Sequence, residues 1–208
     1  MPESWTACDE SPLTDDTGRL VVVSGPSGAG KTTVLKRLYE RCPLPLVPSV
    51  SATTRPPRQG ERDGVDYHFL TPEQFDQRRE RGDFLECVEV FRSGHWYGTL
   101  RGEVDAGLRV GRWVVLEIDV EGAQKVMHER PDVISIFIRP DSSEELERRL
   151  RGRGTETDEA IQRRLAQAHS ELAQANRYQY QVINDDIDRA ADRVCHILTQ
   201  YAENSTHA

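Results

Sequence analysis

The 208-residue chain carries 27 Lys and Arg against 35 Asp and Glu, a formal net charge of −8. That balance excludes broad binding to nucleic acid or to anionic membranes, which require a net basic surface, and the length suits one globular unit with inserted lobes better than two independent domains. Cys8, Cys42, Cys87 and Cys195 are widely spaced and form no C-x-x-C pair, which excludes a zinc ribbon and a disulfide framework and sets a reducing cytoplasm as the expected location.

Residues 1–18 contain Glu3, Asp9, Glu10, Asp15 and Asp16, no basic residue, and the interruptions Pro2 and Pro12. A flexible acidic tail is expected here, because the stretch lacks both the basic start and the apolar centre of a signal peptide. No later apolar run approaches membrane-spanning length.

The first predicted element is a strand over 20–23 (Leu-Val-Val-Val), which stops abruptly in the loop Gly25-Pro26-Ser27-Gly28-Ala29-Gly30-Lys31-Thr32-Thr33. Val34, Leu35 and Leu38 then take up helical spacing, so a helix is predicted over 31–41. Strand, glycine-rich loop and helix in that order form a phosphate cradle. Glycines let backbone N–H groups converge on phosphate oxygens, and the helix N-terminus adds partial positive charge at the same point. Lys31 is then placed to bridge the β and γ phosphates, and the Thr32 hydroxyl to enter a Mg²⁺ coordination shell.

Between about 51 and 100 the texture changes to short β-like pieces punctuated by Pro56, Pro57, Gly60, Gly64, Gly82, Gly94 and Gly98, with one helical stretch over 72–81. An inserted lobe is expected. Arg55 and Arg58 lie three residues apart on a segment stiffened by two prolines. Alone such a pair reads as a solvated basic face; downstream of a nucleotide cradle it suits a second phosphate. Tyr67 and Tyr97 are candidates either for aromatic packing or for phosphate donors. Glu86, beside Phe84 and Leu85, is either an exposed strand position or an acceptor of the paired N1–H and amine of guanine, a pair adenine lacks.

Beyond the lobe, strands are predicted over 113–118, 133–138 and 180–183, alternating with helices over 143–151, 158–177 and 187–202. This alternation gives an α/β fold with a mostly parallel sheet. Arg151-Gly152-Arg153-Gly154-Thr155-Glu156-Thr157 reads as a basic hinge between two of the helices.

Taken together, GPSGAGKTT (25–33), SVSATTRPPRQGE (49–61), GVDYHF (64–69), FLE (84–86), WYGT (96–99), EIDVEG (117–122), RRLRGRGTET (148–157) and INDD (183–186) resemble the guanylate kinases of the nucleoside monophosphate kinase group, in their bacterial form, from about residue 19 to residue 200. The resemblance implies an α/β P-loop NTPase fold with a core over 19–50, 101–150 and 166–208, a GMP-binding lobe over 51–100 and a lid over about 151–165. It also implies transfer of the γ-phosphoryl group of ATP to GMP, and to dGMP, with Mg²⁺ accompanying ATP. By the same likeness Arg55, Arg58, Tyr67 and Tyr97 grip the GMP phosphate, Ser51, Glu86 and Thr99 read the base, and Asp119 lies near metal and acceptor. Residues 25–33 and Arg149 hold ATP, while Lys31, Arg55, Arg153 and Arg164 act on the transferring phosphoryl group. One departure stands out: Glu117 occupies a position where the family usually has aspartate, keeping the charge but lengthening its reach. The rivals are a kinase for another small phosphorylated acceptor, disfavoured by Ser51, Glu86 and Thr99, and a phosphopeptide-binding module of the guanylate-kinase-like type, disfavoured by the intact Gly30-Lys31-Thr32.

Overall fold

The computed structural model describes residues 18–89, 94–151 and 158–205. Arg153, the hinge over 152–157 and the acidic stretch before Gly18 lie outside the described residues.

Two sheets organise the described chain. The larger has the order β2-β7-β1-β8-β9, all parallel, from β1 (Arg19–Ser24), β2 (Leu46–Pro48), β7 (Trp113–Glu117), β8 (Ile134–Arg139) and β9 (Tyr180–Ile183). Parallel strands need covered crossovers, so both faces of the sheet are buried and β1 reads as an unbroken apolar run. Its side chains part by alternation. Val21 and Val23 pack with Leu35 and Leu38 of α1 (Lys31–Arg41) and Val194 and Leu198 of α7 (Ile187–Ser205). Leu20 and Val22 pack on the other face with Val104 of α3 (Arg101–Arg109) and Ala123 and Val126 of α4 (Val120–Glu129). Fully burying one such aliphatic side chain stabilises the fold by about 1.5–3 kcal/mol, so the layer around β1 fixes the loop at its end.

The smaller sheet has the order β4-β3-β6-β5, from β3 (Ser51–Thr53), β4 (His68–Phe69), β5 (Phe84–Glu89) and β6 (Trp96–Leu100). One face rests on its own small core, Ala52, Phe84 and Leu100 with Phe75 of α2 (Pro72–Glu80). The Phe75 and Phe84 rings stack with centroids 4.4 Å apart. The other face carries Ser51, Tyr97 and Thr99 by strand alternation, and Glu86 through a register shift in β5 between Phe84 and Glu86 that sets it opposite Thr99.

Helices α5 (Ser143–Arg151) and α6 (Asp158–Leu172) pair through Leu146, Leu150, Ile161 and Leu165. The predicted helix over 158–177 ends earlier, at Leu172, and a 3-10 turn at Ala175–Arg177 follows. The chain turns there because Ala175 and Tyr178 are drawn into the β-sheet core, the Tyr178 ring meeting Phe137 edge-on at 4.9 Å. Helices α3 and α4 go beyond the helices predicted from periodicity. Helix α3 hides behind Gly102 and Gly107, and Gly107 serves packing, since a Cβ there would sit 2.6 Å from Val114 Cγ2.

Candidate active-site cleft

A cleft of about 780 Å³ opens between the end of the parallel sheet and the polar face of the smaller sheet. Gly25, Ser27, Lys31, Thr32, Glu117 and Asp119 line one wall, and Ser51, Glu61, Tyr67, Glu86 and Tyr97 the other.

The cradle leaves β1 at Gly25, where φ is 145° and an added Cβ would lie 2.0 Å from Ile138 O of the neighbouring strand. No side chain fits that crossing. Gly30, with φ 86°, starts α1 from the left-handed region, and a Cβ there would meet Asn184 Nδ2 at 2.4 Å. Asn184 is buried and donates to Ala29 O at 2.7 Å. Arg149 reaches the same carbonyl at 3.3 Å and Asn184 O at 2.9 Å, so the loop is held from outside by two elements distant in sequence. Gly28 carries Leu146 and Leu150 of α5 over it. Arg164 Nη2 donates to Ser27 Oγ at 2.8 Å, which places α6 over the loop as well. Pro26 O accepts from Ala29 N–H at 3.1 Å, closing a turn inside the loop.

Two side chains at the start of α1 matter most here. Lys31 Nζ donates to Gly25 O at 2.7 Å and to Pro26 O at 3.2 Å, folded back on the loop's carbonyls. Thr32 Oγ1 donates to Glu117 Oε1 at 2.6 Å, while Thr33, next in the helix, is exposed. The longer acid at the end of β7 therefore reaches the cradle directly. Asp119, on the same wall, is held differently: it caps α4, its Oδ1 accepting from Gly122 N–H at 2.7 Å, and burial raises its carboxyl above the ordinary range.

On the opposite wall, Ser51, Thr99 and Glu86 form one row across three strands, Ser51 opposite Thr99 and Thr99 opposite Glu86. Thr99 Oγ1 donates to Glu86 Oε1 at 2.7 Å. Glu86 is only 6 % exposed, and its Oε2 is buried without a partner. Burial pushes its carboxyl up to about 7, against the Thr99 hydrogen bond, with Asp119 adding to the rise and Lys125 opposing it. A buried, half-satisfied carboxylate is a costly thing to keep for packing alone.

Beside this row stands a cationic cluster. Arg55 donates through Nη1 and Nη2 to both oxygens of Glu61 at 2.9 Å and through Nε to Tyr97 OH at 3.1 Å. The Tyr67 and Tyr97 rings meet edge-on at 5.9 Å, and Arg55 lies 5.4 Å from the Tyr67 centroid. Glu61 also accepts from Arg58 N–H at 2.7 Å, and Arg58 itself is exposed. The prolines space the two arginines, and Glu61 aims the first.

Of the described residues singled out from the sequence, Gly25, Ser27, Lys31, Thr32, Ser51, Tyr67, Glu86, Tyr97 and Asp119 line the cleft, and Thr99 and Arg55 bond to Glu86 and Tyr97; Arg149 and Arg164 contact the loop instead, and Thr33 and Arg58 are exposed. The structure adds Glu61, Asn184 and Glu171, and gives Glu117, noted in the sequence for its longer reach, a partner in Thr32. Glu61 and Asn184 sat unassigned within RPPRQGE and INDD, whereas Glu171 had no motif and is recognisable only from its place on the cleft wall, where burial raises its carboxyl.

The guanylate kinase family model matches residues 17–201. A guanylate kinase of Rhodopirellula baltica is 52% identical over 195 residues, covering 92% of this chain and 92% of the relative. One from Rubrobacter xylanophilus is 48% identical over 181 residues, with 87% and 93% covered. Among solved structures, a guanylate kinase from Anaplasma phagocytophilum superimposes with a TM-score of 0.74 at 34% identity, covering 92% of this chain and 89% of that one.

Proposed function

Because the chain belongs to the guanylate kinase family and transfers the γ-phosphoryl group of ATP to GMP, we propose that the Lys31 loop holds ATP and the row Ser51–Thr99–Glu86 holds the guanine of GMP on the facing wall. The observation that carries this division is the Glu86 carboxylate, buried on the cleft wall with one oxygen fixed by Thr99 and the other unpartnered. Guanine supplies two parallel donors to such an acceptor.

Catalysis requires no general base, since a phosphate oxygen of GMP is already an anionic nucleophile near neutral pH. The task is alignment of two highly charged groups and neutralisation of charge on the moving phosphoryl group. Lys31 exchanges its two carbonyl contacts for the β and γ phosphates, and Arg55, locked by Glu61 and Tyr97, presents a fixed guanidinium to the GMP phosphate beside Arg58, Tyr67 and Tyr97. Arg164 and Arg149 already touch the cradle; Arg164 belongs with Arg153 to the lid of about 151–165 that closes over it, Arg149 stays on the ATP side, and 51–100 closes from the acceptor side. Closure excludes water, which would otherwise hydrolyse ATP.

The residues present fit a magnesium ion. Among the described residues no cluster of three His, Cys, Asp or Glu is built to hold a metal, and Thr32 with Glu117 offers a small oxygen-donor edge at the cradle. That is the donor set expected where Mg²⁺ keeps waters and takes its remaining ligands from phosphates. Bound there, the ion would supply neutralisation of charge on the nucleotide phosphates.

No helix among the described residues is long and apolar enough to cross a membrane. Cys42, Cys87 and Cys195 are free thiols, which supports a reducing, cytoplasmic setting.

The function is tested by following ADP formation with GMP, dGMP, AMP, CMP and UMP as acceptors. GMP and dGMP are expected to be the fast ones, and equal turnover with AMP would overturn the base assignment. A pH dependence accompanies it. Guanine donors require the ionised carboxylate, so GMP binding pulls the Glu86 carboxyl down from about 7 and a proton leaves the enzyme. Binding contributed by this group is therefore weak below pH 7 and strengthens as pH rises through it. Calorimetry at pH 7 in buffers of different ionisation enthalpy should show proton release, and Glu86→Gln should remove that share while leaving any from the GMP phosphate.

A further inference from the structure

The Glu86 carboxylate leans on a backbone position that has no side chain. Gly122 lies in the first turn of α4, and a Cβ built on it would be 2.6 Å from Glu86 Oε2 and 3.1 Å from Glu86 Cδ, inside the 3.4 Å at which ordinary contact begins. Backbone conformation does not demand glycine there, because Gly122 is not among the residues with positive φ. Helix propensity argues against it, since glycine inside a helix is worse than alanine. What glycine provides is space, and the atoms filling that space belong to Glu86.

We infer that Gly122 is a specificity-determining position for the acceptor base: the absence of its side chain lets the Glu86 carboxylate stand where Thr99 holds one oxygen and the other is buried without a partner. This rests on Glu86 being the base-reading residue. The direction in which a clash would resolve is set by the neighbours. Asp119 Oδ1 stands 3.2 Å from the same Cβ position, but it is tied to Gly122 N–H at 2.7 Å and caps the helix. The Glu86 carboxylate, at the end of a side chain with rotatable bonds, is the group that yields. Its retreat breaks the 2.7 Å bond from Thr99 and misaligns both oxygens relative to the base. Gly122 is thus a positioning residue that acts through Glu86 and changes no charge.

The test is Gly122→Ala assayed with GMP and with AMP. The expected result is a fall in kcat/KM for GMP of about 10–100-fold, in the range a misplaced hydrogen-bonding group costs, with the AMP value unchanged. The melting temperature should be equal or higher, as alanine favours the helix, and binding of a non-hydrolysable ATP analogue should be unaltered. A purely structural role would instead lower stability and slow both acceptors together. In a Glu86→Gln background, Gly122→Ala should have no further effect on the GMP to AMP ratio, since both changes act on one carboxylate. If Glu86→Gln narrows the ratio and Gly122→Ala does not, this inference falls and the reading of Glu86 stands. If Glu86→Gln itself leaves the ratio unmoved, both fall. A Gly122→Ala protein that no longer melts cooperatively also overturns the inference, because the helix backbone rather than the carboxylate would then have given way.

Discussion

Replacing Glu86 by glutamine is expected to lower kcat/KM for GMP far more than for AMP, shrinking a discrimination that reaches roughly 10⁴ where a site is built around a substrate's donors. The phosphate contacts proposed for Arg55, Arg58, Tyr67 and Tyr97 would be common to both nucleotides and contribute nothing to the ratio. The base alone distinguishes them. In the proposed reading the Glu86 carboxylate accepts from guanine N1–H and the exocyclic amine; adenine sets an unprotonated N1 against the same group, so the carboxyl must either stay unpaired or take up a proton. Glutamine keeps the shape but turns one acceptor into a donor, facing guanine with the wrong polarity. The substitution should not unfold the protein, because it removes a carboxyl whose burial already pushes it up to about 7. Steady-state kinetics with both acceptors, alongside binding of an ATP analogue as a check on the untouched wall, decide the matter. An unmoved ratio in a folded variant would show that Glu86 is not the base reader.

Lys31→Ala is expected to reduce phosphoryl transfer by roughly 10²–10³, the usual cost of losing a preorganised charge at a reacting group, while GMP binding measured by calorimetry survives. The separation follows from the two walls of the cleft. Lys31 belongs to the loop between β1 and α1, whereas the residues proposed for GMP stand chiefly on the smaller sheet and its loops. The ammonium is held at the loop by Gly25 O and Pro26 O before any nucleotide arrives, so little ordering remains to be done when phosphates replace those carbonyls. Near-normal turnover in the variant would remove Lys31 from the mechanism. Loss of GMP binding would show that the two walls are not independent.

Part of this was legible along the chain because it is local. A valine run buried on both faces, a glycine loop and a helix with apolar residues at helical spacing are consecutive in sequence, and the physics that links them acts over a few residues. The short motifs around Arg55, Glu86 and Tyr97 likewise carried enough chemistry to suggest a second phosphate and a purine edge. The extent of α6 was not legible, because no glycine or proline marks its end at Leu172; the stop comes from Tyr178 being claimed by a core built from distant strands. Helix α3 was obscured by two glycines, of which Gly107 is required by the close approach of Val114 on β7 while a side chain at Gly102 would meet nothing within 4 Å.

The cradle and the alternation of elements determined by themselves that this is an α/β nucleotide-binding chain, because periodicity and loop chemistry are written in neighbouring residues; the guanylate kinase kind came from the resemblance of its motifs to that family. Only the tertiary structure decided how the groups are paired. Ser51, Thr99 and Glu86 fall in one row through strand register, which depends on hydrogen bonding between segments up to 48 residues apart. Thr32 finds Glu117 at a separation of 85 residues, and Arg164 finds Ser27 at 137. Glu61 turns Arg55 from a basic residue into an oriented one. A side chain's partner, burial and proton affinity are set by what the fold packs around it, and for Glu86 that surrounding includes the empty space at Gly122.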